Sequence, residues 1–171
     1  MPVKTKGSKL KLEIVQADYH NNEHAQAVVQ LLDAYARDAM GGGHALSEAV
    51  KQQLVAELAR RPSAFSVLAF VDGHAAGLIN CFEGFSTFAC KPLINIHDVA
   101  VASAYRRQGI AQAMMAKVEQ IAEERGCCKL TLEVLSGNHG AQEMYRKLGY
   151  AGYQLDAETG GALFWQKRLI A

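Results

Sequence analysis

The chain has 171 residues, 50% of them apolar, with 18 Lys plus Arg against 17 Asp plus Glu. That length suits one domain, and that apolar share buries a core without disulfide or metal staples. A net charge of +1 excludes a nucleic-acid binder held by overall charge, and the composition excludes a disordered chain.

Residues 1–9 carry Lys4, Lys6 and Lys9, but no apolar stretch or cleavage site follows, so they read as a flexible basic tail and not a signal peptide. The expected single domain spans 10–171. Leu10–Ala17 alternates apolar and polar residues, which predicts a first strand. Asn21 or Asn22 then suits a helix cap, with Ala25, Val28, Val29, Leu32, Tyr35, Ala36 and Ala39 at helical spacing behind it. Gly41-Gly42-Gly43 ends that helix. Ser47 opens a second helix reaching Arg60, which Pro62 prevents from continuing.

Two strands, Phe65–Val71 and Ala75–Glu83, flank Asp72-Gly73, a hairpin turn dipeptide. Residues 84–92 read as a loop or irregular strand end, and Ile94–Val101 as a strand rich in β-branched residues. Gly109–Arg125 carries Ile110, Ala113, Met114, Val118, Ile121 and Ala122 on one face, an amphipathic helix closed by Gly126. Lys129–Leu135 alternates as a strand, and Ala141, Met144, Tyr145 and Leu148 mark a short helix ending at Gly149. Tyr150–Leu155 and Ala162–Leu169 are expected to close the sheet around Gly160-Gly161. This order predicts an α/β (α+β) domain, with a central mixed, mostly antiparallel sheet of about seven strands and about four helices on its faces.

No apolar run is long enough to cross a bilayer, so no membrane partner is expected. Cys81, Cys90, Cys127 and Cys128 contain no C-x-x-C and read as idle thiols of a cytoplasmic protein. His20 and His24 stand at i,i+4 without a third ligand, so no metal is expected. Three lysines are too few for a nucleic-acid role.

The most informative segment runs from Asp98 to Ala111, a strand leading through Arg106-Arg107-Gln108 into a helix start at Gly109. The first N–H groups of a helix lack intrahelical partners and carry the positive end of its dipole. Small residues there let a phosphate approach them. Neither a G-x-x-x-x-G-K-[ST] nor a G-x-G-x-x-G pattern is present.

Arg106-Arg107-Gln108-Gly109-Ile110-Ala111 resembles the [Q/R]-x-x-G-x-[G/A] acetyl-CoA loop of the GNAT (Gcn5-related N-acetyltransferase) superfamily. Asn138 to Tyr150, about thirty residues on, resembles its N-x-x-A-x-x-x-Y-x-x-x-G-[F/Y] signature. The resemblance implies the GNAT-like fold and acetyl-CoA as cosubstrate. It would set the pyrophosphate on the N–H groups of Arg107, Gln108, Gly109, Ile110, Ala111 and Gln112, with Arg106 and Arg107 adding charge. It would pair the pantetheine with Val99, Ala100 and Val101, in a gap where the strands Ile94–Val101 and Lys129–Leu135 splay apart, and bond it to Asn138. Tyr145 would serve as the acid for the departing sulfur, and the N–H of Val99 or Ala100 would receive the oxyanion. A homodimer is common in this family.

Aminolysis of a thioester needs a base for the ammonium, and Glu83, His97 and Asp98 are the candidates. Plain alternation puts His97 and Asp98 on opposite faces of their strand, a parity that a β-bulge would change. An imidazole is the side chain that ordinarily changes charge near neutral pH. Residues 85–99 also resemble the diamine acetyltransferase branch, with Ile96-His97-Asp98 where that branch has Leu-Glu-Asp. The expected activity is acetyl transfer to a primary amine on a small-molecule acceptor. The competing reading is an acyl-CoA-binding module without catalysis, for which Tyr145 would be superfluous.

Overall fold

The computed structural model describes residues 10–154 and 156–169; the expected tail over 1–9 lies outside the described residues, as does Leu155. Two compact units are present, one ending at Leu135 and the other beginning at Ser136.

The first unit is built on a five-stranded sheet in the order β1 (Leu12–Gln16), β2 (Ala64–Val71), β3 (His74–Ser86), β4 (Lys91–Val101), β5 (Leu130–Leu132). The first four strands are antiparallel to their neighbours and β5 runs parallel to β4. Asp72 and Gly73 join β2 to β3 with φ of 48° and 79°, the left-handed pair that a two-residue hairpin turn requires. The expected loop over 84–92 is shorter: the β3–β4 ladder continues to Ser86 opposite Lys91. Alternation alone gave no sign of pairing in that polar, aromatic stretch.

Helix α1 (Asn22–Arg37) is capped by Asn21, whose side chain accepts from the N–H groups of Glu23 and His24. Such a cap contributes about 1 kcal/mol. The helix ends at Asp38, before the three glycines, because Asp38 caps the short turn Ala39–Gly41. Helix α2 (Glu48–Ala59) starts from Ser47 as its spacing predicts. Ala27, Val28 and Leu31 of α1 and Leu58 of α2 form a core with Leu68, Phe70 and Leu78 of the sheet.

Helix α3 (Ile110–Glu124) covers the opposite face. Gly77, next to Leu78 and so pointing the other way, is where Met114 of α3 comes closest: a Cβ there would stand 2.6 Å from Met114 Cε. That approach seats α3 behind β3 and β4. Cys81 is buried on this face, and burial pushes its thiol up to about 12.

The second unit holds α4 (His139–Lys147), capped by Asn138. The expected closing strands are not formed among the described residues. A single bridge joins Gln154 to Gly161, and Leu163, Phe164, Trp165 and Leu169 are exposed. Alternation marks which side chains share a face, but a strand exists only through a ladder with a neighbour.

Candidate active site

The site is built where β4 loses its second neighbour. β5 pairs with β4 only at Ile94, Asn95 and Ile96. Beyond Ile96, among the described residues, no strand pairs with that edge of β4. The gap expected between the two strands therefore opens at His97.

The β3–β4 register also slips there: Cys81 faces Ile96 while Asn80 faces Asp98, leaving His97 as the additional residue. A bulge of this kind turns two successive side chains to one side. The His97 ring meets Phe82 edge-on at 5.5 Å, and Asp98 Oδ2 accepts from Asn80 Nδ2 at 3.0 Å. Phe82 and Asn80 lie two apart in β3, so His97 and Asp98 share the face covered by α1. Plain alternation had separated them.

Glu83 is not brought to this face. Its Oε2 lies 3.0 Å from Arg125 Nη1, at the end of α3, and the same guanidinium lies over the Phe65 ring. The three candidate bases therefore divide into an adjacent pair and a carboxylate engaged elsewhere.

Backbone direction on β4 follows from one bond. Ala102 N–H donates to Ala76 O of β3 at 2.9 Å. Successive N–H groups alternate along a strand, so those of Val101 and Val99 point to the open edge and that of Ala100 points to β3. Arg106 reaches back to this edge, where its Nε donates to Val101 O at 3.0 Å. Its Nη2 lies 2.8 Å from Asp38 Oδ2.

The loop then climbs through Arg107, with φ of 63°, to Gly109, with φ of 80°, which opens α3. The first helical bond is Ala113 N–H to Gly109 O. The N–H groups of Ile110, Ala111 and Gln112 precede it, and no side chain caps them among the described residues. A Cβ on Gly109 would meet nothing within 4 Å, so the space before these donors is open. Arg107 and Gln108 are exposed, and Gln108 Nε2 donates to Ala104 O.

A cavity of about 250 Å³ lies beside this loop, lined by Leu31, Tyr35 and Asp38 of α1 and its end, by Ala100 and Val101 of β4, and by Arg106. Burial raises the Tyr35 phenol above its usual value, as do the negative charges of Asp98 and Asp38.

Asn138 and Tyr145 belong to the second unit. Asn138 caps α4 by accepting the Ala141 N–H at Oδ1, 3.2 Å. Tyr145 is buried in α4 and its ring lies 5.8 Å from that of Tyr150.

Sequence reasoning missed Tyr19, Ser66, Asn80, Tyr35 and Asp38. The one available signal was Asn80 itself, a polar residue inside the apolar run 76–82.

A profile described as the acetyltransferase (GNAT) family matches residues 30–150. A streptothricin acetyltransferase of Streptomyces lavendulae is 36% identical over 86 residues, which are 50% of this chain and 43% of that protein. A thialysine N-epsilon-acetyltransferase of Bos taurus is 39% identical over 56 residues, 33% of each chain. The chain thus spans less than half the length of these curated relatives. The crystal structure of an aminoglycoside acetyltransferase from an uncultured soil metagenomic sample superposes with a TM-score of 0.72 and 17% identity. That likeness covers 92% of this chain and 97% of the other, and shows a shared fold.

Proposed function

Because the chain belongs to the acetyltransferase (GNAT) family, we propose that it transfers an acetyl group from acetyl-CoA to a primary amine by direct attack in a ternary complex. The observation that carries this reading is the edge of β4 beyond Ile96 that no strand pairs among the described residues, followed through the Arg106–Gln108 loop by the uncapped start of α3. The pyrophosphate would rest on the N–H groups of Ile110, Ala111 and Gln112, with Arg107, Gln108 and Gly109 at its rim. The pantetheine would run along β4 beside Val99, Ala100 and Val101. Asn138 would contribute its Nδ2, since Oδ1 serves the helix cap.

An alkyl ammonium loses its proton only near pH ~10, so the site must remove it. In this reading Asp98 holds the ammonium and the adjacent His97 accepts its proton. The freed nitrogen attacks the thioester carbon and the carbonyl electrons move to oxygen. Of the two donors expected for that oxyanion, strand parity favours the Val99 N–H. Collapse breaks the C–S bond, the Tyr145 hydroxyl gives its proton to the thiolate, and the second proton of the attacking nitrogen passes through solvent to restore that hydroxyl. The amide and free CoA leave.

The named activities of the relatives make streptothricin, thialysine and aminoglycosides the first acceptors to try. A small amine as acceptor and a homodimer complete the proposal on the strength of the family resemblance, and a cytoplasmic setting on that of four cysteines whose spacing suits neither a disulfide framework nor a metal. Two-substrate kinetics test the ternary complex. Intersecting initial-rate lines support direct attack, and parallel lines would require an acetyl-enzyme instead.

A further inference from the structure

We infer that Asn80 is a positioning residue for the Asp98 carboxylate, oriented by a hydrogen-bond relay from Ser66 and Tyr19. The inference rests on the role given to Asp98 above. Ser66, Asn80 and Asp98 face one another across β2, β3 and β4 in continuous register with Leu68 and Leu78. They therefore lie on the α1 face, beside the apolar row of Leu68 and Leu78. Ser66 is 0% exposed and Asn80 4%, yet every buried side-chain polar atom among the described residues has a partner.

The donor inventory fixes the direction of the relay. Asp98, as a carboxylate, can only accept, so Asn80 Nδ2 donates to its Oδ2 at 3.0 Å. Asn80 Oδ1 then accepts the Ser66 hydroxyl proton at 2.7 Å. Ser66 has spent its one proton, so the Tyr19 hydroxyl donates to Ser66 Oγ at 2.8 Å. Burial raises the Tyr19 phenol above its usual value, which keeps that donor protonated. Three donors thus point in series toward one carboxylate oxygen, each polarising the next. A flipped amide would set its oxygen against the carboxylate, so Asp98 selects the amide's orientation, and Ser66, bonded to Oδ1, holds the plane in which Nδ2 is presented. An amide does not readily relay a proton, so the row holds Asp98 in place and does not supply its chemistry. Asp98 stands at the bulge, where one strand edge is open, and the second oxygen is left to meet the amine.

The test measures kcat and KM with whichever of thialysine, streptothricin or an aminoglycoside the wild type acetylates fastest. Asn80→Asp keeps the shape and the Ser66 acceptor but removes the donor. It should lower kcat/KM for the amine about 10- to 100-fold, the range expected from a misplaced group, with KM for acetyl-CoA unchanged. Ser66→Ala, which leaves Asn80 Oδ1 unheld, should give a smaller loss of the same kind, and serves if Asn80→Asp does not fold. The double variant Asn80→Asp with Asp98→Asn exchanges the two groups and keeps a hydrogen-bonded pair. It should regain the melting temperature lost by Asn80→Asp but not the activity. Full recovery of activity would overturn the inference, because a structural pair works either way round. Wild-type rates in both Asn80→Asp and Ser66→Ala, with Asp98→Asn inactive, would also overturn it. An Asp98→Asn variant with wild-type activity would instead remove the underlying reading of Asp98.

Discussion

Arg106 Nη2 lies 2.8 Å from Asp38 Oδ2, so the loop that leads into α3 is tied to the end of α1. Asp38 is occupied at both oxygens: Oδ1 accepts the Met40 N–H and Oδ2 the guanidinium. The Arg106 charge expected beside the pyrophosphate is thus directed to Asp38 at the end of α1 in this structure. A ligand drawing Arg106 away would release that end of α1.

The Met40 N–H and the Arg106 guanidinium hold the Asp38 carboxyl below its usual value. A depressed folded pKa contributes stability above the unfolded value, ~3.9, and that contribution is lost as pH falls through the lower folded value. Asp38→Asn keeps the cap acceptor and removes the charge. Its urea midpoint should lie slightly below that of wild type above about pH 5, and the gap should narrow from about pH 4 and close only below the lower folded value. The effect is small because the pair is partly exposed. A gap that widened on acidification would contradict the assignment.

Gly109→Glu should abolish the rise in melting temperature that acetyl-CoA gives the wild type by mass action. The side chain would bring bulk and like charge to the open space before Ile110, Ala111 and Gln112. Gly109→Ala is the control: its φ of 80° strains any L residue, by about 1–2 kcal/mol, but leaves the anion site uncharged. An unchanged ligand shift in the glutamate variant would move the site elsewhere.

Tyr145→Phe should lower kcat by about 10²–10⁴-fold, the usual contribution of a positioned acid, with little change in KM for acetyl-CoA. The proton is needed only as the C–S bond breaks, so the loss belongs to the transition state. The ring would stay beside Tyr150 in the phenylalanine variant. A kcat near wild type would leave Tyr145 a packing residue and assign the proton to water.

Cys90 and Cys128 are exposed, whereas Cys81 is buried with its thiol pushed up to about 12. A disulfide reagent at pH 8 should therefore label Cys90 and Cys128 rapidly and Cys81 only on unfolding. Rapid labelling of Cys81 in the folded protein would contradict the burial of β3.

Local chemistry in the sequence was enough for the caps Asn21 and Ser47, the Asp72-Gly73 turn and the Gly109 helix start, because each depends on its own few residues. Relations between strands were not legible in the same way. The alternation over 129–135 says which side chains share a face, but β5 ends at Leu132 because pairing with β4 stops there. His97 and Asp98 share a face only through a register slip that needs both β3 and β4 to define. The row Ser66–Asn80–Asp98 needs three strands in register, so Asn80 could be noticed as a polar residue in an apolar run but its partners could not be read from the chain alone. The helix start at Gly109 was legible because an uncapped first turn depends on a few consecutive residues.

Acetyl transfer to an amine is most directly tested by CoA release from acetyl-CoA with and without a primary amine, with the product's mass read in parallel. Thialysine, streptothricin and an aminoglycoside form the first panel. Release should depend on the amine, saturate with it, and match mole for mole an amine that has gained one acetyl group. Binding of acetyl-CoA with no amine-dependent release would contradict acetyl transfer, and would leave the protein an acyl-CoA-binding module without catalysis.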